Sequence, residues 1–357
     1  MGRAMPSTTL PRRRAGATEL SLPVLGVGCF TFGGGTYWGP QSQHDVDAVV
    51  GRALELGANF FDTAETYNDG TSESALGLAL RGRRDAAIVC TKLQPDHAYA
   101  ADVRRHCEAS LARLQTDHVD VFMLHWPLNA SALRHYTSDE AKLRHPPTIA
   151  EALHAMDALR QEGKVRHLAV SNFGPVQLAE ALAVGVPLAL NELPYNLLAR
   201  GIEAAALPAC ARGSVGVLGY MALAQGLLTG KFATLDDVPT WRARLRHFRG
   251  DRPGSRHGGP GLEAETLAAV QGVRALATAH GLAPGDLALA WAASHPHMTC
   301  TLAGARNIGQ LEANVRAVQT PLAPALYAEL NRLTEEVRQM LGPCLDYYQS
   351  PADSRCW

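Results

Sequence analysis

The stretch Asn59-Phe60-Phe61-Asp62-Thr63-Ala64-Glu65-Thr66-Tyr67 sets a short apolar run against a sudden carboxylate and a polar turn. A run of this kind reads as a buried strand, Asn59–Asp62, whose last side chain emerges from the core. Two later runs end the same way: Ala87–Lys92 closes on an ammonium and Val119–His125 on an imidazole. Working outward, Leu22–Phe30, Val165–Ser171, Pro187–Glu192, Val215–Tyr220 and Thr299–Ala303 complete the set of apolar segments. Amphipathic stretches rich in Ala and Leu lie between them, among them Asp45–Leu56, Ala101–Leu114, Ile149–Glu162 and Ile308–Val318. Strands buried on both faces read as continuous apolar runs, whereas the helices that cover them show a one-sided stripe. Eight such strands, most followed by a helical pattern, imply an α/β fold in which one parallel sheet closes into a (β/α)8 TIM barrel.

The barrel is expected to occupy residues 18–341, opening with an N-terminal hairpin that begins at Thr18–Pro23. Residues 1–17 read as a disordered basic leader, because no apolar segment follows Arg12, Arg13 and Arg14 as a secretory signal requires. Residues 342–357 read as a tail over or near the barrel mouth, after a helix-like Ala325–Leu341. The strand–helix rhythm breaks at Pro127–Thr148, after the fourth strand, and at Gln225–Gly261, after the seventh. Both breaks follow strand C-termini, the face on which barrel enzymes build their sites, so both are candidate substrate and cofactor loops.

The net charge of −1 provides no field to recruit nucleic acid or an anionic membrane. No apolar run approaches the ~20 residues that cross a bilayer. The seven cysteines are scattered without disulfide or zinc spacing, which fits reduced thiols in a cytoplasmic protein. His295 and His297 flank Pro296 with no third ligand placed nearby, and no metal is expected.

Asp62, Lys92 and His125 end consecutive strands, and Tyr67 follows five residues after Asp62. Neighbouring strands lie ~4.8 Å apart, so these groups converge on one region. Any one ionisable residue at a strand end is ordinarily an ion pair or a cap; four on adjacent strands and loops at one face point to chemistry. A tyrosine phenol has a pKa near ~10, which a neighbouring cation such as Lys92 lowers. Asp62 would hold Lys92, since an unpaired buried ammonium is costly. His125 would orient a substrate oxygen. The set suits protonation of an oxygen while hydride reaches its carbon.

The same residues lie in motifs that resemble the aldo-keto reductase family: Phe60 to Tyr67, Ser72-Glu73, Leu76-Gly77, Thr91-Lys92 and Leu124-His125-Trp126. The likeness continues through Gly163-Lys164-Val165-Arg166, Ser171-Asn172-Phe173, Pro194-Tyr195-Asn196, Gly226 to Lys231 and Gly304-Ala305-Arg306-Asn307. It is closest to the larger bacterial members and the potassium-channel β-subunit branch. The resemblance implies NADP(H) as cofactor, a small carbonyl or alcohol substrate, and a tetrad of Asp62, Tyr67, Lys92 and His125 with Tyr67 as general acid or base. It further implies that Ser171, Asn172 and Glu192 meet the nicotinamide carboxamide and that Tyr220 stacks on the ring. Lys231 and Arg242 would face the phosphates, and Arg306, Gln310 and Asn314 the adenosine end. An Arg fork matches phosphate geometry, and Asn307 could begin a helix whose N-terminus attracts anions. A dinucleotide fingerprint is absent, because Thr31 stands where Gly26-x-Gly28 would need its last glycine. Gly33, Gly34 and Gly35 read instead as a tight turn.

The chain departs from the family pattern at Glu192, where the family has glutamine, at Ala313, where it often has glutamate, and at Met221-Ala222 in place of Ser-Pro. An ionised Glu192 beside the ring would favour NADP+ over NADPH; pairing with an arginine is the alternative. Phe30, Trp38 and Trp126, with Tyr37, form a candidate aromatic wall for substrate. The Arg242–Arg256 stretch reads either as part of a cofactor belt or as a solvated charge run. A cofactor-sensing regulatory subunit and a redox epimerase with retained NADP+ are the other functional readings.

Overall fold

Phe60 and Phe61 pack on opposite sides of the sheet, Phe60 among the residues of the barrel interior and Phe61 against the surrounding helices. Strand side chains alternate with period two, so this pair sets which residues face the axis. The structure, a computed structural model, describes residues 10–319 and 322–356. Two short strands, β1 (Arg12–Arg14) and β2 (Ser21–Pro23), pair antiparallel. Eight parallel strands then close a barrel: β3 (Leu25–Gly28), β4 (Phe60–Asp62), β5 (Ile88–Leu93), β6 (Val119–Leu124), β7 (Val165–Ser171), β8 (Leu188–Pro194), β9 (Gly216–Tyr220) and β10 (Cys300–Ala303).

Two expectations change at the N-terminus. Residues 1–9 of the expected leader lie outside the described residues, but Arg12–Arg14 is a strand rather than disordered chain. Arg12 donates to Asn59 Oδ1 (3.0 Å) and Arg13 to the Met298 carbonyl, which fastens the hairpin to the barrel. The expected first strand Leu22–Phe30 is also split between β2 and β3. Pro23 has no N–H to donate to a neighbouring strand, and at Val24 the chain passes from one sheet to the other, donating to Pro11 O and accepting from Thr301 N. Leu20 and Leu22 join the apolar cluster of the interior, so the hairpin closes one end of the barrel.

The helices follow their stripes closely. Gln43–Glu55, Ala100–Leu114, Ile149–Gln161 and Ile308–Gln319 each bury one face against the sheet. The helix-like C-terminal stretch divides at Thr334 into Pro324–Leu333 and Glu335–Leu341. Thr334 Oγ1 accepts from Arg200 Nη1 (3.3 Å) and donates to Leu330 O (3.0 Å), a side-chain bonding pattern that bends helices. Neither long loop is structureless. Pro127–Thr148 holds the short helices Ala130–Leu133 and Glu140–Arg144, and Gln225–Gly261 buries Leu235, Val238, Leu245 and Phe248. No helix among the described residues is long and apolar enough to cross a membrane. All seven cysteines are free.

Candidate active site

The period-two alternation that buries Phe60, Cys90, Met123, Ala169, Leu190 and Leu218 inside the barrel fixes what lies two residues further along. Those positions are Asp62, Lys92, His125, Ser171, Glu192 and Tyr220, which form a polar layer at the C-terminal ends of the strands. Six strands thus supply the site from one face, the arrangement expected of a barrel enzyme.

Lys92 is fully buried and donates to Asp62 Oδ1 and Oδ2 at 2.6 Å each, to Thr63 O at 3.0 Å and to Tyr67 Oη at 3.3 Å. Glu192 Oε2 lies 3.5 Å from the same ammonium, so the departure at Glu192 is paired with Lys92 and not with an arginine. Burial opposes the charge on Lys92, but Asp62 and Glu192 outweigh it and hold its pKa well above the ordinary lysine range. Burial, and then the Asp62 charge, push Glu192 up to about 8, so at neutral pH it is mainly the uncharged acid. The Tyr67 phenol also differs from expectation. Lys92 pulls it down as anticipated, but burial is the larger effect and raises it overall. Burial and Lys92 push His125 well below the usual imidazole range, and its Nδ1 has no hydrogen-bond partner. The His125 and Tyr67 rings meet edge-on at 5.6 Å.

The turn that carries Tyr67 is braced on both sides. Asn68, at φ 50°, donates to the carbonyls of Phe30 and Phe32 at 3.0 Å each. Gly35, at φ 131°, passes so near that a Cβ there would fall 2.2 Å from Asn68 Oδ1. On the other side, Glu65 accepts from Gln94 N (2.9 Å) and meets Nδ1 of His97 at 3.0 Å and of His106 at 2.8 Å. Burial would raise Glu65, but His106 and His97 hold it down, to about 2. These three are also the one group among the described residues whose ligand atoms lie close enough to hold a metal ion.

Tyr67 and His125 open into a cavity of ≈ 330 Å³ that also takes in Ser171, Asn172, Glu192 and Tyr220, whereas Asp62 and Lys92 lie outside its lining. Asn172 sits at φ 64°, donates to His125 O (3.1 Å) and Ser171 Oγ (3.0 Å), and accepts from Tyr220 Oη (2.8 Å). Phe30, Trp38 and Trp126 line the cavity as the sequence suggested, with Tyr37 beside them. Lys231, Arg242, Arg306, Gln310 and Asn314 lie outside its lining. The Arg242 guanidinium stacks 4.3 Å over the Trp38 ring. Arg306 donates to Trp38 O at 2.6 Å and to Pro40 O, while Gln310 Oε1 accepts from Arg306 N at 2.9 Å. Asn307 Oδ1 caps the helix Ile308–Gln319 by accepting from Gln310 N (2.9 Å), and Asn314 donates to Gly304 O (3.3 Å). Sequence reasoning missed Tyr348 and Arg355 of the tail, which line the cavity, and left Arg244 and Arg256 undivided from their basic stretch. The sequence places the tail over or near the mouth, but no local pattern marks which of its residues enter the cavity.

The aldo/keto reductase family profile matches residues 24–335. This chain belongs to that family. Among its aldo/keto reductase relatives, YhdN of Bacillus subtilis strain 168 is 33% identical over 91% of this chain and 94% of its own length. Methylglyoxal reductase YeaE of Escherichia coli K12 is 29% identical over 88% and 92%. An aldo-keto reductase from Klebsiella pneumoniae solved with NADPH superposes with a TM-score of 0.68, at 27% identity over 91% of this chain and 96% of that one. The holo form of a Bacillus halodurans aldo-keto reductase gives 0.70 at 25% identity, again covering 91% and 96%.

Proposed function

We propose that this aldo/keto reductase is an NADP(H)-dependent oxidoreductase acting on a carbonyl or alcohol, with Tyr67 as its general acid or base. The observation that carries the reading is the buried Asp62–Lys92–Tyr67 chain of hydrogen bonds, whose Tyr67 end lines the cavity. Bound NADP(H) supplies or accepts the hydride. The chain's own residues suit it. Lys231, Arg242 and Arg306 appear in no ion pair among the described residues, and burial and mutual repulsion lower Lys231 and Arg242. Phosphates would neutralise that group. Ser171 and Asn172 would hold the carboxamide, Tyr220 the ring face, and Arg306, Gln310 and Asn314 the adenosine end. The NADP and NADPH complexes of Klebsiella relatives support this assignment.

Burial keeps Tyr67 protonated until a substrate oxygen receives its proton. Lys92, fixed by Asp62, then stabilises the phenolate. His125, uncharged, is free to orient the substrate oxygen. In the reverse direction the same groups remove the alcohol proton. Fluorescence titration of folded, cofactor-free protein with NADPH and with NADH is the test. Tight NADPH quenching with weak NADH response is the expected result, and binding of neither would remove this function.

A further inference from the structure

The cavity that contains Tyr67 and His125 is also lined by Arg244, Arg256 and Arg355, with His135 among them. Arg355 is neutralised: its Nε and Nη2 donate to Asp346 Oδ2 and Oδ1 at 2.6 and 2.8 Å. Arg244 and Arg256 appear in no ion pair among the described residues, and Arg244 Nε is buried without a hydrogen-bond partner. Arg256 donates to Nδ1 of His135, a contact that requires the neutral ring, and burial with the neighbouring guanidinium groups pushes His135 down to about 4. Asp346 is the one carboxylate felt by Arg256, against Arg355 and Arg244. Asp346 is already paired with Arg355, so among the described residues Arg244 and Arg256 have no carboxylate of their own beside Phe30, Trp38 and Trp126.

Arg256 is exposed at the cavity mouth and Arg244 is half-buried with its Nε unpartnered, so an anion entering the cavity meets two unpaired guanidinium forks whose geometry fits carboxylate and phosphate. Neither arginine belongs to the cofactor set of Lys231, Arg242 and Arg306, and neither belongs to the reacting-oxygen set of Tyr67 and His125. We propose that the substrate carries an anionic group, carboxylate or phosphate, remote from its reacting carbon, and that Arg244 and Arg256 bind it at the cavity mouth. The inference rests on the oxidoreductase reading, which makes this cavity a substrate site.

Two measurements on the whole chain test it. The first compares kcat/KM with NADPH for 4-carboxybenzaldehyde against benzaldehyde and for glyceraldehyde 3-phosphate against glyceraldehyde. The anionic member of at least one pair should be preferred tenfold or more, the pair distinguishing carboxylate from phosphate, and Arg256→Gln should erase the preference. The second needs no turnover: calorimetric binding of terephthalate against 4-carbamoylbenzoate in the presence of NADP+, in the parent, Arg244→Gln and Arg256→Gln proteins. The two ligands share the carboxylate able to occupy the oxygen site and differ only at the far end. Tighter terephthalate binding that the substitutions abolish, with no aldehyde reduced, would leave the anion site standing and defeat the oxidoreductase reading. Equal affinities and no substrate preference would overturn the anion site whatever the turnover.

Discussion

Lys92 holds both carboxylate oxygens of Asp62 at 2.6 Å while Glu192 Oε2 lies 3.5 Å away, so one buried ammonium serves two buried carboxyls. Two anions and one cation cannot all stay charged cheaply out of water, and the arrangement resolves by leaving a proton on one carboxyl. Burial raises both carboxyls, but Asp62 has the closer, two-oxygen contact with Lys92, which leaves the proton on Glu192, pushed up to about 8. A neutral carboxylic acid can donate a hydrogen bond as well as accept one, as glutamine does. The charge argument drawn from the sequence for Glu192 therefore applies only where that proton is lost.

Cofactor preference should consequently depend on pH. At pH 6.5 the ratio of NADP+ to NADPH dissociation constants should be the same for the parent and Glu192→Gln. Above about pH 8 the parent ionises and should favour NADP+ several-fold relative to the variant. Fluorescence titrations at pH 6.5 and 9 read this directly, and identical ratios at both would refute it.

The same proton gives stability a definite sign. A carboxyl whose folded pKa is raised from 4.5 to about 8 contributes most below its unfolded pKa and loses that contribution as pH climbs through the folded value. Between pH 5 and 9 the parent should lose on the order of 2 kcal/mol relative to Glu192→Gln, because part of the effect is shared with Asp62. Melting curves across that range should show the gap in Tm widening by several degrees in favour of the variant. A constant gap would mean that Glu192 does not hold the proton.

Tyr67→Phe isolates the acid–base step. The phenol oxygen has its hydrogen bond to Lys92, and the residue belongs to none of the proposed cofactor contacts. Loss of a positioned proton donor typically lowers rate by ~10²- to 10⁴-fold. The variant should show a fall in kcat of that order with NADPH affinity within twofold of the parent. A similar loss in NADPH binding would mean that Tyr67 shapes the cofactor site instead.

The barrel and the convergence of Asp62, Tyr67, Lys92 and His125 were legible because both are written in short-range pattern. Strands covered on both faces are continuously apolar, and period two carries Phe60 to Asp62, Cys90 to Lys92 and Leu190 to Glu192 without knowledge of the rest of the chain. Arg244, Arg256, Tyr348 and Arg355 were not legible as cavity residues, since their positions depend on where a long loop and a tail come to rest. The balance at Tyr67 was misjudged for a related reason. Proximity of Lys92 follows from the strands, whereas the depth of burial that outweighs it depends on everything packed above. The hairpin was half visible, because β2 has an apolar pattern and β1 is only Arg12-Arg13-Arg14, held by side-chain contacts to distant partners.

The ion pair of Asp346 and Arg355 should control the tail. Both side chains are almost wholly buried, Asp346 also accepts from the backbone N–H of Tyr348 and Arg355 at 3.1 Å each, and the Arg355 guanidinium lies 3.8 Å over the Trp126 ring. The Arg355 carbonyl in turn accepts from Asn129 Nδ2 (2.9 Å) and Gln177 Nε2 (3.0 Å), which ties the tail to the loop after β6 and to the helix Pro175–Ala183 after β7. Removing one partner of a buried pair strands the other charge and costs about 3–5 kcal/mol, whereas replacing both with apolar groups costs less. Asp346→Asn should therefore lower Tm and release backbone hydrogen exchange across residues 342–356, with KM rising more than kcat falls, since Tyr348 and Arg355 leave the cavity wall while Asp62, Tyr67, Lys92 and His125 stay in place. The double variant Asp346→Leu with Arg355→Met should recover most of the Tm but not the KM. If exchange in 342–356 is unchanged in Asp346→Asn, the backbone contacts to Asn129 and Gln177 hold the tail by themselves and the ion pair serves only to neutralise Arg355.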